Sequence, residues 1–386
     1  MLRYYKVIFS WLLVCFLFGC ENKAKLMFTL LDKDRTGIKF KNELFDSEML
    51  NIVNFPYYYN GGGVAIGDIN NDGLQDILFT GNMVKNRLYL NKGNFDFEDI
   101  TELSGVAELQ GWCTGATTID INNDGFMDFY ICRSADSNSS RRKNLLFVNN
   151  GDLSFSEKAE EYGLADKGYS TQASFFDYDK DGDLDCFIIN HSLQNYASGE
   201  QFNSELRKRY NPYTACRLYK NNQGYYEDVS NQAGIISNFL TSGLGLGISD
   251  INNDGWPDVY VSNDYNEPDY LFINNSDGTF KEQISERTDQ VSLYSMGSDI
   301  ADYNNDGLTD IVTLDMLPED NKMQKLHSGP DNFNKFQNLF QRGFYYQYSR
   351  NMLQKNNGDG TFSEIGQLAG ISNTDWSWAP LLADYD

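Results

Sequence analysis

One acidic nonapeptide is written five times in this chain, as DINNDGLQD, DINNDGFMD, DYDKDGDLD, DINNDGWPD and DYNNDGLTD. The first aspartates, Asp68, Asp120, Asp177, Asp250 and Asp302, are separated by 52, 57, 73 and 52 residues. A period near 50 overrides the length prior that would divide 386 residues into two or three average domains. Each copy follows a small-residue segment such as GGGVAIGD or SGLGLGISD and precedes a β-rich run such as DILFT, DFYIC or DVYVSN, so each loop closes a hairpin. A third run (RLYLNKGN, LLFVNNGD, RLYKNNQG, YLFINNSDG, MLQKNNGDG) and a fourth (FDFEDIT, YYEDVS) complete the unit, with Asn and Gly marking tight turns. Four strands per unit, repeated, predict an all-β chain folded as a β-propeller of four-stranded blades, with small residues on the strand nearest the axis. The abundance of Tyr and Phe, 25 and 26, beside only 7 Pro agrees with short aromatic-rich strands.

The loops carry the chemistry. Oxygen side chains on alternate residues converge on one hard cation, while the glycine allows the sharp turn and position seven offers its carbonyl. The expected calcium ligands are Asp68, Asn70, Asp72, Leu74 and Asp76; Asp120, Asn122, Asp124, Phe126 and Asp128; and Asp177, Asp179, Asp181, Asp183 and Asp185. In the last two copies they are Asp250, Asn252, Asp254, Trp256 and Asp258, then Asp302, Asn304, Asp306, Leu308 and Asp310. The spacing resembles the first half of an EF-hand, without its helices or its glutamate at position twelve, so the position-nine aspartate must close the site. Carboxylates so close repel, each like pair at ~4 Å costing about 1 kcal/mol even in bulk water, and one Ca²⁺ per loop relieves this. Magnesium prefers a smaller octahedron that keeps several waters. Position two is Ile69, Ile121, Tyr178, Ile251 or Tyr303 and is expected to turn inward, with position four in solvent. Asp384 and Asp386 stand at positions one and three of a sixth copy; about 55 residues per blade would bring a seven-blade ring roughly another 100 residues. Thr36 to Leu44, TGIKFKNEL, alternates like a strand that closes the last blade.

The formal charge of −24 disfavours nucleic acid or an anionic membrane surface as the main partner. Val7 to Phe18 forms an apolar core behind Arg3 and Lys6, too short for a span of roughly 20 residues and suited to a signal peptide over residues 1–19. Leu17-Phe18-Gly19-Cys20 resembles the bacterial lipobox, which implies lipidation of Cys20, a tether over residues 20–35 and a membrane anchor. Of the remaining cysteines, Cys113, Cys132, Cys186 and Cys216 match no zinc spacing; buried thiols are expected, with a disulfide left open.

The blades resemble FG-GAP or VCBS repeats, the calcium-loop repeats shared with the integrin α head. FKNEL followed by YYYNGGGVAIGDINNDGLQDILFTGN, LYLNKGN, FEDIT and SGVA resembles the ASPIC/UnbV, or cartilage-acidic-protein-like, group over residues 36 to 386. In that group an ASPIC/UnbV domain follows the propeller, and the lipoprotein form points to the outer membrane or cell surface of a Bacteroidetes-like bacterium.

If the acidic loops join the first and second strands, the second-to-third connections lie on the other face. The long insertions fall there, at Arg133 to Lys143, His191 to Cys216 and Met316 to Arg350, with formal charges of +3, +1 and +2. The third holds Phe340, Arg342, Phe344, Tyr345, Tyr346 and Arg350, residue types that anchor protein interfaces or stack on sugars. Phe336 to Phe344 at spacings of four also reads as a short amphipathic helix that buries its own aromatics. Only His191 and His327 exist, and neither belongs to a nucleophile elbow or HExxH motif. The expectation is a monomeric, exported binding module for a protein or glycan, without catalysis and without nucleic acid. The enzymatic alternative is a calcium-dependent polysaccharide lyase, since some lyases use calcium-laden propellers.

Overall fold

A computed structural model describes residues 27–107, 111–192, 203–236, 238–327 and 333–385. The expected signal peptide over residues 1–19 and Cys20 lie outside the described residues, as does Asp386. The first sheet comprises β1 (Val64–Gly67), β2 (Asp76–Phe79), β3 (Arg87–Asn91) and β4 (Phe97–Asp99). The second comprises β5 (Trp112–Ile119), β6 (Asp128–Ser134), β7 (Leu145–Asn149) and β8 (Phe155–Glu157). The third comprises β9 (Ser170–Phe176), β10 (Asp185–Asn190), β11 (Arg217–Asn222) and β12 (Tyr225–Asp228). The fourth comprises β13 (Gly243–Ser249), β14 (Asp258–Asn263), β15 (Tyr270–Asn274) and β16 (Phe280–Glu282). After β17 (Val291–Ser292), the fifth takes β18 (Ser298–Ala301), β19 (Asp310–Thr313), β21 (Met352–Asn356) and β22 (Phe362–Glu364), while β20 (Gln347–Tyr348) pairs parallel with β17. All five four-stranded sheets are antiparallel with strands in chain order, and their first strands β1, β5, β9, β13 and β18 lie side by side. That is the blade order of a β-propeller.

Crowding at the first strands explains their small residues. A Cβ on Gly63 would lie 2.6 Å from the Thr114 carbonyl oxygen, and one on Gly245 2.7 Å from the Ser298 nitrogen. Threonine hydroxyls bind these strands together: Thr114 Oγ1 donates to the Ser170 carbonyl at 2.8 Å, Thr117 Oγ1 to Ala173 at 2.7 Å and Thr171 Oγ1 to Gly243 at 2.7 Å. The second strands are buried on both faces throughout β6, β10, β14 and β19, which is why their sequences are near-continuous apolar runs and do not alternate. Four hydrophobic clusters fill the four interfaces between successive sheets. Cys113, Cys132, Cys186 and Cys216 sit in them as buried thiols outside any disulfide, and burial pushes Cys216 up to about 12. They act as small apolar side chains.

Residues 37–46 form no ladder, so the expected closing strand is not seen as such. They lie on the first sheet, where Lys39 N donates to Tyr89 Oη at 3.2 Å and Phe40 stacks on Phe79 at 5.1 Å. Residues 379–385 also form no strand, and Leu382 N donates to Asp299 Oδ2 at 2.6 Å beside β18.

Candidate metal-binding loops and the opposite face

Each acidic loop begins one residue after its first strand ends and closes on a fixed pair: Gly67 faces Asp76, Ile119 faces Asp128, Phe176 faces Asp185, Ser249 faces Asp258 and Ala301 faces Asp310. In the first loop, Asp68 accepts Asp72 N at 3.1 Å on one oxygen and Gly73 N at 2.8 Å on the other. Asp72 accepts Leu74 N at 2.9 Å and Asn70 Nδ2 at 3.0 Å. Position four takes the left-handed conformation in all five copies, at Asn71, Asn123, Lys180, Asn253 and Asn305, with φ between 56° and 59°. Asn tolerates that region better than most residues, which accounts for its use at four of the five. These side chains are exposed, as expected, and three also reach the next loop: Asn71 Nδ2 donates to the Gly125 carbonyl at 3.0 Å, Asn253 Nδ2 to Gly307 at 3.3 Å, and Lys180 Nζ sits 4.4 Å from the Trp256 ring centroid.

The position-nine aspartates form the buried floor. Asp76, Asp128, Asp185 and Asp258 each accept two backbone N–H groups, one from position two of their own loop and one from an asparagine that ends the third strand, or in β11 precedes its last residue; for Asp128 these are Ile121 N at 2.9 Å and Asn149 N at 2.7 Å. Asp310 accepts Asn356 N at 2.8 Å. Burial dominates their titration, ahead of the two N–H bonds that oppose it, and pushes Asp128 and Asp258 up to about 6 and Asp185 to about 7.

The donor set fits a hard cation. It consists of carboxylate, amide and carbonyl oxygens, and in the third loop Asp177, Asp179 and Asp185 present oxygens within 4.8 Å of one another. In the other four copies position three is an amide, Asn70, Asn122, Asn252 or Asn304, also an oxygen donor. The position-seven residues Leu74, Phe126, Asp183, Trp256 and Leu308 have their N–H groups held by the position-five carboxylate, which orients the peptide that would offer a carbonyl.

One expectation about these loops fails. Ile69, Ile121, Tyr178 and Ile251 are buried, each in the cluster shared with the following sheet, whereas Tyr303 is 40% exposed.

The asparagine at the end of the third strand was legible only as a turn residue, yet in three sheets it is a second connector. Asn149 Nδ2 donates to the Ile69 carbonyl at 2.9 Å, Asn274 Nδ2 to Tyr178 at 2.8 Å and Asn356 Nδ2 to Ile251 at 3.0 Å, each reaching position two of the preceding loop. Asn221 departs from the pattern. Its Nδ2 stays within its own sheet, on the Leu184 carbonyl at 3.3 Å and Tyr226 Oη at 3.4 Å. A crevice of about 440 Å³ lies at that junction, lined in part by Ile121, Asn122, Asp183 and Asn221.

The opposite face is covered more than its sequence implied. Phe55, Tyr57 and Tyr58 are buried against Trp112, with Tyr57 4.5 Å from the His191 ring and 6.2 Å from that of Tyr265. His191 Nδ1 donates to the Ser192 carbonyl at 3.1 Å, so Nε2 accepts from Ser134 Oγ at 2.6 Å. Burial pushes this imidazole down to about 4. A Ser–His pair sealed under Tyr57, with a carbonyl in the place of an orienting acid, is packing, not a nucleophile.

In the third insertion, helices span Asn321–His327 and Phe333–Gln341, and its aromatic and arginine residues divide between buried and exposed positions. Phe344 is fully buried with Leu206, Leu240 and Leu339, Arg350 pairs with Glu364 at 2.7 Å, and Tyr345 Oη donates to the Thr288 carbonyl. These three belong to the packing and not to an open partner face. Phe340, Arg342 and Tyr346 remain exposed; Phe340 stacks on Tyr346 at 4.5 Å and Phe336 on Tyr348 at 5.5 Å.

The family model for the FG-GAP-like repeat matches residues 68–131 and 250–313, each match starting on the first aspartate of one loop and running through the next. Cartilage acidic protein 1 of Xenopus tropicalis is 29% identical over 267 residues, 65% of this chain and 39% of that protein. The Homo sapiens protein of the same name is 26% identical over 266 residues, 65% of this chain and 38% of its own length. The chain thus spans about two fifths of the length of the curated relatives it matches. Among solved structures, an Agrocybe aegerita lectin described as recognising non-reducing terminal N-acetylglucosamine superimposes with a TM-score of 0.42 at 17% identity, over 77% of this chain and 64% of the lectin. The V. cholerae biofilm matrix protein Bap1 gives 0.38 at 12% identity, over 78% of this chain and 38% of that one. No helix among the described residues is long and apolar enough to cross a membrane.

Proposed function

Because the chain belongs to the FG-GAP-repeat proteins, in the ASPIC/UnbV group with cartilage acidic protein 1, we propose that it is an exported, calcium-stabilised propeller that binds a protein or glycan at the cell surface. Cys20 anchors it through lipid, and the protein acts as a monomer without catalysis. The observation that carries the reading is the division of labour between faces. On one face the acidic side chains are committed to five copies of one loop geometry, with position-nine carboxylates bonded to backbone N–H groups. On the other, Phe340, Tyr346, Phe336 and Tyr348 form a stacked aromatic strip beside Arg342.

When bound, calcium would offset two of the negative charges in each loop and fix the turn between first and second strands. The chain's own residues do the rest: the position-nine aspartates and the third-strand asparagines hold the loop to its sheet and to the preceding one. Aromatic faces stack on apolar side chains or on sugar rings, and arginine adds directional donors.

The test is retention on a panel of immobilised acidic and neutral glycans and surface proteins at about 1 mM calcium, within the range of extracellular calcium modules. Phe340→Ala with Tyr346→Ala should abolish retention while leaving the melting temperature within a few degrees. Retention unchanged in that variant would refute the aromatic strip as the binding surface. Appearance of unsaturated sugar products would assign a lyase instead.

A further inference from the structure

Five copies of one loop in one chain allow an internal comparison, and the third copy departs from the others in three places. Position three is Asp179 where the others have Asn70, Asn122, Asn252 and Asn304; position seven is Asp183 where the others are apolar; position four is Lys180 where the others are Asn. In the first, second and fourth loops the position-three amide donates Nδ2–H to the position-five carboxylate, at 3.0, 2.8 and 2.9 Å. Asp179 has no such hydrogen. The donor arrives from outside the loop: Lys220, on β11, pairs with Asp179 Oδ2 and with Asp181 Oδ2 at 3.0 Å. The same strand position holds Leu90, Val148 and Ile273 in the first, second and fourth sheets. In the fifth it holds Lys355, but Asn304 stands at position three there, and no ion pair of Lys355 occurs among the described residues. Lysine alone therefore does not make the contact; the aspartate at position three is needed with it.

The two lysines are matched to the two extra acids. The other loops carry acids at positions one, five and nine. The third adds two more, and Lys180 and Lys220 return its net charge to that of the rest. The loop hydrogen bonds are nevertheless kept: Asp181 N and Gly182 N donate to Asp177 at 3.1 and 3.0 Å, as their counterparts do elsewhere.

We propose that Lys220 is a built-in cation for the third loop, so that this loop keeps its fold without a divalent ion while the other four depend on one. The inference rests on the calcium reading for those four but is tested separately from it. An ammonium bridging the position-three and position-five carboxylates puts a tethered positive charge where the other loops have only an amide, and it makes the third loop the one that remains ordered when calcium falls. It also makes that loop a weaker calcium site than its neighbours, because an incoming ion must displace a tethered competitor.

Hydrogen–deuterium exchange on the full chain, in about 1 mM calcium and in EDTA, reads each loop through its own peptides. In wild type, EDTA should accelerate exchange at Asp72–Gly73, Asp124–Gly125, Asp254–Gly255 and Asp306–Gly307 by about tenfold or more and leave Asp181–Gly182 slow. In Lys220→Met, Asp181–Gly182 should join the other four, while Lys220→Arg should restore protection. Protection of the third loop that survives Lys220→Met in EDTA would overturn the proposal, as would EDTA accelerating exchange in the third loop of wild type as much as in the other four. If EDTA changes none of the other four, the calcium reading falls, and the Met and Arg variants still decide the role of Lys220.

Discussion

The connector asparagines give a prediction with its control inside the molecule. Asn274→Ala removes the inter-sheet bond to the Tyr178 carbonyl, the 3.2 Å bond to Pro257 and the acceptor for Ser276 N, while the backbone N–H to Asp258 is kept. A buried hydrogen bond contributes about 1 kcal/mol net, and a carbonyl orphaned between two sheets costs about 1–3 kcal/mol, so the variant should lose about 3–4 kcal/mol. Asn221→Ala removes the acceptor for Gly224 N and two long contacts within its own sheet, with no carbonyl of the preceding loop left behind, and should lose about 1–2 kcal/mol. Urea unfolding with calcium present, followed by circular dichroism, measures both. At a slope of roughly 3 kcal/mol/M, appropriate to a chain of this size, the midpoints should differ by about 0.7 M. Asn149→Ala and Asn356→Ala should group with Asn274→Ala. Equal midpoints for Asn221→Ala and Asn274→Ala would refute the reasoning that the inter-sheet bond carries the difference.

Three further outcomes are expected. EDTA should lower the melting temperature by many degrees and calcium should restore it, and titration calorimetry that detects no calcium uptake would remove the metal from the loops. Asp128, Asp258 and Asp185 titrate near 6, 6 and 7 because burial disfavours their charged forms, so the folded metal-free chain holds protons that the unfolded chain releases near pH 4. Its stability should therefore fall as pH rises from 5 to 8, with calcium abolishing the fall and expelling protons at pH 6, measurable by melting and by pH-stat; a flat metal-free profile would contradict the buried floor. Phe344→Ala should cost about 3–5 kcal/mol and expose the segment around Leu206 to proteolysis, whereas Phe340→Ala should be nearly neutral in stability.

Much of this architecture was legible because its signals are local. The first and ninth residues of each loop, the glycine between them and the apolar run after them sit within one hairpin, and the register Gly67 to Asp76 recurs wherever that spelling recurs. What escaped was long-range or ambiguous. Asn149, Asn274 and Asn356 stand where a hairpin would want Asn anyway, so a structural role was hidden behind a turn propensity; their fixed place at the end of the third strand was the available clue. The spacing of Phe336, Phe340 and Phe344 suggested one helical face, but the helix stops at Gln341 and Gly343, at φ 82°, redirects the chain so that Phe344 turns inward. Nothing near Phe55, Tyr57 and Tyr58 in sequence announces Trp112, His191 or Tyr265 as neighbours.

That aromatic segment also sets an order of events. Tyr57 leaves the ribosome before any blade is complete, yet the rings it meets at His191 and Tyr265 belong to the third and fourth sheets, more than a hundred residues downstream. Domains fold as their sequence emerges, and contacts of such separation form late. Phe55 and Tyr58 find Trp112 once the second sheet exists, but Tyr57 lacks the rings that cover it until the fourth sheet has been made. The nascent chain therefore carries a half-covered aromatic segment while those sheets are added, a reason for it to be held by a chaperone until the blades that receive it exist.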